Sequence, residues 1–150
     1  MTIRCEIVSQ DRSVFEGEAD LVLAPTTEGQ IGILPGHAPT LAVLGMGILT
    51  VRRGEAEEIF TVTGGFIEIQ PDIVTVLADA SEHIEEINVN RAQQARERAE
   101  KLLEEGEPPD TDSYLKIEAA LRRSNLRLKA VEQYRKRGQR SRPPGMGKTE

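Results

Sequence analysis

The sequence predicts an α+β chain in two parts, an N-terminal all-β sandwich followed by a C-terminal antiparallel helical hairpin. Three observations carry that expectation. From residue 3 to residue 78, short segments rich in β-branched residues are broken by Gly and Pro at sandwich-like spacing, without helical periodicity. After Ile84, apolar residues recur every three or four positions, the period of one helix face. The run Gly106-Glu107-Pro108-Pro109 then splits the helical stretch in two, since glycine ends a helix and proline cannot continue one.

In chain order the expected strands are residues 3–9, a short piece at 14–15, 19–24, a second short piece at 31–34, then 48–51, 57–63, 66–70 and 73–77. Arg53-Gly54 and Pro71-Asp72 read as the turns of two hairpins; the proline fixes φ and removes a donor that no ladder needs there. Val89, Ala92, Ala95, Ala99 and Leu102 form the apolar face of the first helix. Asn88 is its N-cap, with Arg91 three residues on where a capping box would have Glu, and the helix stops near Glu105. Asp112 offers the cap of the second helix, whose stripe is Tyr114, Ile117, Leu121, Leu128 and Val131, interrupted by the polar pair Ser124 and Asn125. Two helices with a short connection make an αα-hairpin. Its facing surfaces are narrow and Ala-rich, so at ~25 cal/mol per Å² of buried apolar area its docking is expected to be weak and able to open. The expected units are residues 1–86, the sandwich; 87–137, the hairpin; and 138–150, a Gly-, Pro- and charge-rich tail without periodicity, expected to be unstructured.

Composition narrows the function. With 38% apolar and 29% charged residues the chain is in the ordinary globular range. Aromatic residues reach only 3% and Trp is absent, which removes the usual stacking platforms for nucleic acid bases. Cys5 is the single cysteine and cannot form an internal disulfide; its neighbours Ile3 and Ile7 mark a buried strand position in a protein of a reducing compartment. No signal-peptide pattern precedes Ile3, and no apolar run approaches the ~20 residues needed to cross a bilayer. Charge is segregated: residues 1–121 hold 9 basic and 23 acidic side chains, and residues 122–148 hold 10 basic side chains against Glu132 alone. A basic end on an acidic protein points to an acidic partner surface, a nucleic acid or the phosphates of a nucleotide.

Catalytic constellations are missing. His37 and His83 are the only histidines, and neither accompanies a Ser or Cys in a nucleophile elbow. Two isolated histidines and one cysteine match no transition-metal spacing. His37, in a Pro-Gly-His-Ala-Pro turn, is read as part of a structural or docking loop. Gly147-Lys148-Thr149 imitates the end of a phosphate-binding loop, but the required first glycine would fall at Arg142 and no helix can follow. The glycines from Gly29 to Gly65 lack dinucleotide-binding spacing and read as turns and strand corners.

Three stretches stand together in order: Ile31-Gly32-Ile33-Leu34-Pro35-Gly36-His37-Ala38-Pro39, Gly64-Gly65-Phe66-Ile67-Glu68-Ile69-Gln70-Pro71, and Val74-Thr75-Val76-Leu77-Ala78-Asp79. In sequence and spacing they resemble the ε subunit of bacterial rotary ATP synthases, and the likeness runs from about residue 3 to residue 137. The resemblance implies a ten-stranded, two-sheet sandwich that grips the γ subunit and rests on the c-ring. It also implies a mobile helical hairpin that folds down or extends into the catalytic α/β hexamer to block ATP hydrolysis. It implies a non-catalytic, peripheral protein on the cytoplasmic face of the bacterial cell membrane, with no required cofactor. The docking loop would be Gly32, Leu34, Pro35, Gly36, His37, Ala38 and Pro39. Arg122, Arg123, Arg127, Lys129, Arg135 and Lys136 would meet the acidic lever segment of the β subunits.

Some members of this family bind ATP as a regulatory ligand on the folded hairpin, through a motif resembling Ile/Leu-Asp-x-x-Arg-Ala with further arginines on both helices. The matching stretch here is Ile87-Asn88-Val89-Asn90-Arg91-Ala92, joined by Glu82, Arg98, Arg123 and Arg127. Converging guanidiniums suit a polyphosphate, whereas Asn88 keeps the cap of the motif's Asp and loses its charge. Two readings from other classes are a nucleic-acid-binding adaptor using the basic hairpin and a stand-alone ATP sensor. The absent aromatics and the acidity of residues 1–121 oppose the first.

Overall fold

The computed structural model describes residues 1–106 and 110–140, with side chains through Arg137. Among these, ten strands precede two helices: β1 (Ile3–Val8), β2 (Ser13–Ala19), β3 (Leu21–Thr26), β4 (Gly29–Ile33), β5 (Thr40–Val43), β6 (Met46–Arg53), β7 (Ala56–Thr63), β8 (Gly65–Ile69), β9 (Ile73–Ala78), β10 (Ser81–His83), a 3-10 turn at Ile84–Glu86, then α1 (Val89–Glu104) and α2 (Thr111–Arg140). The strands form two five-stranded sheets, ordered β2-β1-β9-β8-β5 and β10-β7-β6-β3-β4. Only β1 and β9 pair in parallel among the described strands.

Alternation builds the core. In β1, Ile3, Cys5 and Ile7 are buried while Arg4 faces out to Glu6 and Glu16; Val74, Val76 and Ala78 repeat the pattern in β9. Seventeen buried residues, including Val22, Leu49, Phe60 and Val62 from the second sheet, fill the space between the layers. Burial around Cys5 raises its thiol pKa to about 12, so it behaves as a small hydrophobe. In β6 and β7, by contrast, burial is continuous over Leu49-Thr50-Val51 and Ile59-Phe60-Thr61-Val62. One face of those strands meets the first sheet, and the other meets α2.

Both expected hairpin turns are present, between β6 and β7 and between β8 and β9. Four details differ from the sequence expectation. First, β5 and β10 are additional strands; both are edge strands of three or four residues, too short to show an alternation. Second, β2 runs through to Ala19, and the chain changes sheet at Asp20, whose N–H donates to the Arg52 carbonyl (2.7 Å) and whose carboxylate accepts from Gly54 N–H (2.5 Å). Third, the second helix is capped by Asp110 rather than Asp112: the Asp110 carboxylate accepts the Ser113 N–H at 2.6 Å. Fourth, the inward stripe of α1 follows Val89, Ala92, Ala95 and Ala99 as expected but ends on the half-buried Leu103, with Leu102 47% exposed. The chain crosses back to the first sheet at Gly64-Gly65, where Gly65 has φ +109° and an added Cβ would lie 2.0 Å from the Leu77 carbonyl oxygen.

Asn88 caps α1 as expected, its side-chain oxygen accepting Arg91 N–H at 3.1 Å. Helix α2 is unbroken at Ser124 and Asn125: the Ser124 hydroxyl donates to the Ala120 carbonyl (2.8 Å), so this buried residue is satisfied within its own helix and leaves α1 a close approach. Ala92, Ala99 and Ala130 are buried in the hairpin. The expected unstructured segment overlaps the end of α2, which extends through Arg140; residues 141–150 lie outside the described residues.

The hairpin is seated through α2, which lies on β6, β7 and the 3-10 turn, while α1 packs on α2. The apolar contact is Ile59, Ile84 and Ala130, bordered by Ile48, Ile87 and Val131. Two isoleucines at ~1.5–3 kcal/mol apiece supply most of its strength. Arginine–carboxylate pairs lie beside it. Arg127 forks onto Glu82, and Arg137 donates to Glu57 at 2.7 Å, where Arg52 also binds.

Partial burial pushes the Glu57 carboxyl pKa up, but hydrogen bonds from Arg52 and Arg137 outweigh it and hold the group below its ordinary 4.5. The contribution of this group is therefore present above pH 4.5 and lost as pH falls through the lowered value of the docked state. In Glu57→Gln, NMR order parameters for residues 132–137 are expected to fall from about 0.85 toward 0.6 at pH 7. The wild-type chain should show the same loss only below pH 4.5, and equal order in both proteins at pH 7 would count against the contact.

Candidate functional site

Three surfaces are candidates for function, and the first and third carry the residues singled out by the sequence. The first is the loop between β4 and β5. Gly32, Leu34, Gly36, Ala38 and Pro39 are exposed there, with Pro35 and His37 half-buried. His37 N–H closes a turn onto the Leu34 carbonyl (3.1 Å), and Gly36 N–H donates to the Pro71 carbonyl (2.8 Å), tying the loop to the β8–β9 turn. The His37 Nδ1 lies 2.8 Å from the Ala38 carbonyl oxygen, so that nitrogen carries the proton and donates. The loop is thus fixed at one end of the sandwich with its apolar side chain Leu34, 58% exposed, pointing to solvent.

The second surface is the outer face of the first sheet, which the sequence reading missed. Val43, Phe66 and Leu77 are direct cross-strand neighbours on β5, β8 and β9, and each is about half exposed. Val8 of β1 continues the row beyond Leu77, and Leu41, 72% exposed, lies on the same face. Large apolar side chains side by side on the solvent face mark a protein-binding surface. The signal was present in the parity: Phe66 shares its face with Glu68, opposite the buried Ile67 and Ile69.

The third surface is the hairpin. Arg122, Arg123, Lys129, Arg135 and Lys136 are exposed around α2, Lys136 pairing with Glu132 at 2.9 Å. Arg127 is different: its fork onto Glu82 makes it part of the docking contact. Lys129 lines a groove of about 350 Å³ between α2 and the sandwich, with Pro25, Met46, Ile48 and Leu126.

Of the residues compared with a nucleotide motif, the structure brings together Glu82, Arg123 and Arg127, around a cleft that also includes Thr61, Thr63 and Ser81. Arg91 and Arg98, on α1, do not line this cleft; Arg91 is exposed, and Arg98 Nε donates to the Gln94 carbonyl at 3.4 Å. Ala92 is buried and Asn88 is occupied as the cap. The cleft measures about 30 Å³, space for one water rather than a nucleotide. Its Ser81 hydroxyl is buried without a hydrogen-bond partner. Phosphate binding to these arginines in the docked hairpin requires Arg127 to exchange Glu82 for the ligand. Among the described residues no group of three or more His, Cys, Asp or Glu side chains could hold a metal ion, and no helix is long and apolar enough to cross a membrane.

Comparison with known proteins matches both parts in order. Residues 2–84 match the family described as ATP synthase, Delta/Epsilon chain, beta-sandwich domain, and residues 85–132 match ATP synthase, Delta/Epsilon chain, long alpha-helix domain. The ATP synthase epsilon chain of Moorella thermoacetica is 49% identical over 131 residues, 87% of this chain and 96% of that one. That of Halalkalibacterium halodurans is 41% identical over 85% of this chain and 95% of its own, and that of Herpetosiphon aurantiacus 40% identical over 91% and 99%. Two solved structures share the fold. One is a chain in the OSCP/F1/c-ring of the Euglena gracilis mitochondrial ATP synthase (TM-score 0.63, 23% identity, 91% of this chain and 81% of that chain). The other is in the Tetrahymena thermophila mitochondrial ATP synthase central stalk and c-ring (TM-score 0.55, 15% identity, 87% and 97%). Matched in sandwich and hairpin alike, and sharing close to half its residues with an epsilon chain along nearly the full length of each, the chain belongs to the ATP synthase delta/epsilon chain family as an epsilon chain.

Proposed function

We propose that the sandwich seats on the rotor while the hairpin restrains ATP hydrolysis, within the non-catalytic central-stalk role that couples the rotor to the catalytic head. The observation that carries this reading is the separation of two surfaces on opposite sheets. The outer face of the first sheet offers the apolar row Val43–Phe66–Leu77, and the outer face of the second holds the hairpin. A partner can therefore occupy the first face permanently while the hairpin comes and goes on the other. The γ subunit takes the apolar row, and the 34–39 loop, stiffened by Pro35, Pro39 and the Gly36–Pro71 bond, rests on the c-ring. The chain then sits peripherally at the cytoplasmic face of the bacterial cell membrane, through the complex.

Released from Glu82 and Glu57, α2 presents Arg122, Arg123, Arg127, Lys129, Arg135 and Lys136 to an acidic surface of the α/β hexamer. Docked and released states must lie within a few kcal/mol of each other for such a switch to respond to ligands. The small apolar contact meets that requirement. In the assembled enzyme, deletion of residues 88–150 is expected to raise ATP hydrolysis or abolish its latency while γ and the c-ring remain bound. Unchanged hydrolysis kinetics in an intact assembly would remove the regulatory half of the reading.

A regulatory ATP site on the hairpin, drawing on Glu82, Asn88, Arg91, Ala92, Arg98, Arg123 and Arg127, would open where Glu82, Arg123 and Arg127 meet, once Arg127 leaves Glu82 for the phosphates and the cleft widens. Calorimetric titration of ATP onto the full chain is expected to show saturable binding that Arg127→Ala weakens at least ten-fold. Binding of equal strength in that variant, or none in the wild type, would dismiss the site.

A further inference from the structure

His83 ends β10, and the 3-10 turn that leads into the hairpin begins at the next residue. Its ring is held at three points. The Nδ1 accepts the Glu85 N–H at 3.1 Å, making His83 the N-cap of the turn. The Nε2 meets the Glu58 carboxylate of β7, and the ring lies edge-to-face on the core residue Phe60, centroids 5.0 Å apart. An Nδ1 that accepts a backbone N–H carries no proton, so the neutral ring donates from Nε2 to Glu58. Protonation places a second N–H at Nδ1, facing the Glu85 N–H, and the cap is lost. The next residue, Ile84, is 5% exposed and packs with Ile59 and Ala130 in the contact that seats α2.

We propose that His83 is a proton-operated catch on the junction between sandwich and hairpin: neutral, it caps the turn that seats Ile84 against α2; protonated, it cannot, and the hairpin releases more readily as pH falls. The sign follows from the cap, which only the neutral ring can make and which orders the turn that seats Ile84. Glu58 belongs to the sandwich, as His83 does, so their pair persists in both states and favours neither. Glu82, the preceding residue of the strand, turns to the opposite face, where it pairs with Arg127 of α2, and Arg12 of the sandwich also acts on its charge. Glu85 supplies the capped N–H, and Glu86, which also faces His83 and accepts its backbone N–H, is held by Arg12 from the β1–β2 turn; the Arg12 bond above all keeps its carboxyl below the ordinary range. The carboxylates of β2, Glu16 and Glu18, are engaged by Arg4 and Thr2. The catch requires a docked hairpin and is independent of what the released hairpin does in the assembled enzyme.

Hydrogen exchange of the α1 amides in the full chain, corrected for the intrinsic pH dependence of the chemistry, measures the opening equilibrium even when the open state is rare. Between pH 8 and pH 6 the opening constant is expected to rise about five-fold, the strength of an ordinary helix cap. His83→Asn keeps a capping acceptor that does not titrate and is expected to open no more at pH 6 than at pH 8; His83→Gln should be equally flat. His37→Asn, which changes the other histidine, should leave the rise intact. A wild-type opening constant that does not change with pH, or an equal rise in both His83 variants, would overturn the proposal.

Discussion

Helix α2 is held to the sandwich by an apolar contact of three buried residues, Ile59, Ile84 and Ala130, flanked by the Arg127–Glu82 and Arg137–Glu57 pairs. The placement of the rest of the hairpin depends on this contact, since α1 packs on α2. Seventeen buried residues fill the sandwich core, so the two parts of the chain differ several-fold in what holds them together. The ion pairs do not close that gap. Both are partly exposed, where such pairs contribute ~0.2–1 kcal/mol.

That asymmetry suits the proposed combination of anchor and switch in one small chain. The sandwich has two outer faces of different character: one carries large apolar side chains left in solvent, the other is covered by a helix over part of its area. Residues that join the hairpin to the sandwich concentrate on β10 and the turn after it, where Glu82 reaches the helix, His83 caps the turn and Ile84 enters the docking contact. Five consecutive residues from Glu82 to Glu86 thus join the sandwich, the β1–β2 turn through Arg12, and the hairpin.

Much of this was legible in the sequence because it depends on local chemistry. The two hairpin turns, the Asn88 cap, the period change after Ile84 and the glycine corner at Gly64-Gly65 each follow from a few neighbouring residues. What escaped depends on distant partners. The edge strands β5 and β10 are too short for a pattern, and their pairing is decided by β8 and β7. The pairing of Arg127 with Glu82, 45 positions apart, converts a member of a basic set into a docking residue, and no local rule shows it. The apolar row on the first sheet was visible only once the register aligned Val43, Phe66 and Leu77. The buried run from Ile59 to Val62 did contain a readable clue, because a strand without alternation is covered on both faces.

Native-state hydrogen exchange of the full chain in increasing, sub-denaturing urea tests the central claim most directly, by separating local opening from global unfolding. The account expects amides of α1 and of α2 to open together, as one unit, at a free energy several kcal/mol below that of the core strands β1, β7 and β9. Helix amides that exchange only with global unfolding, at the same free energy and urea dependence as those strands, would contradict it.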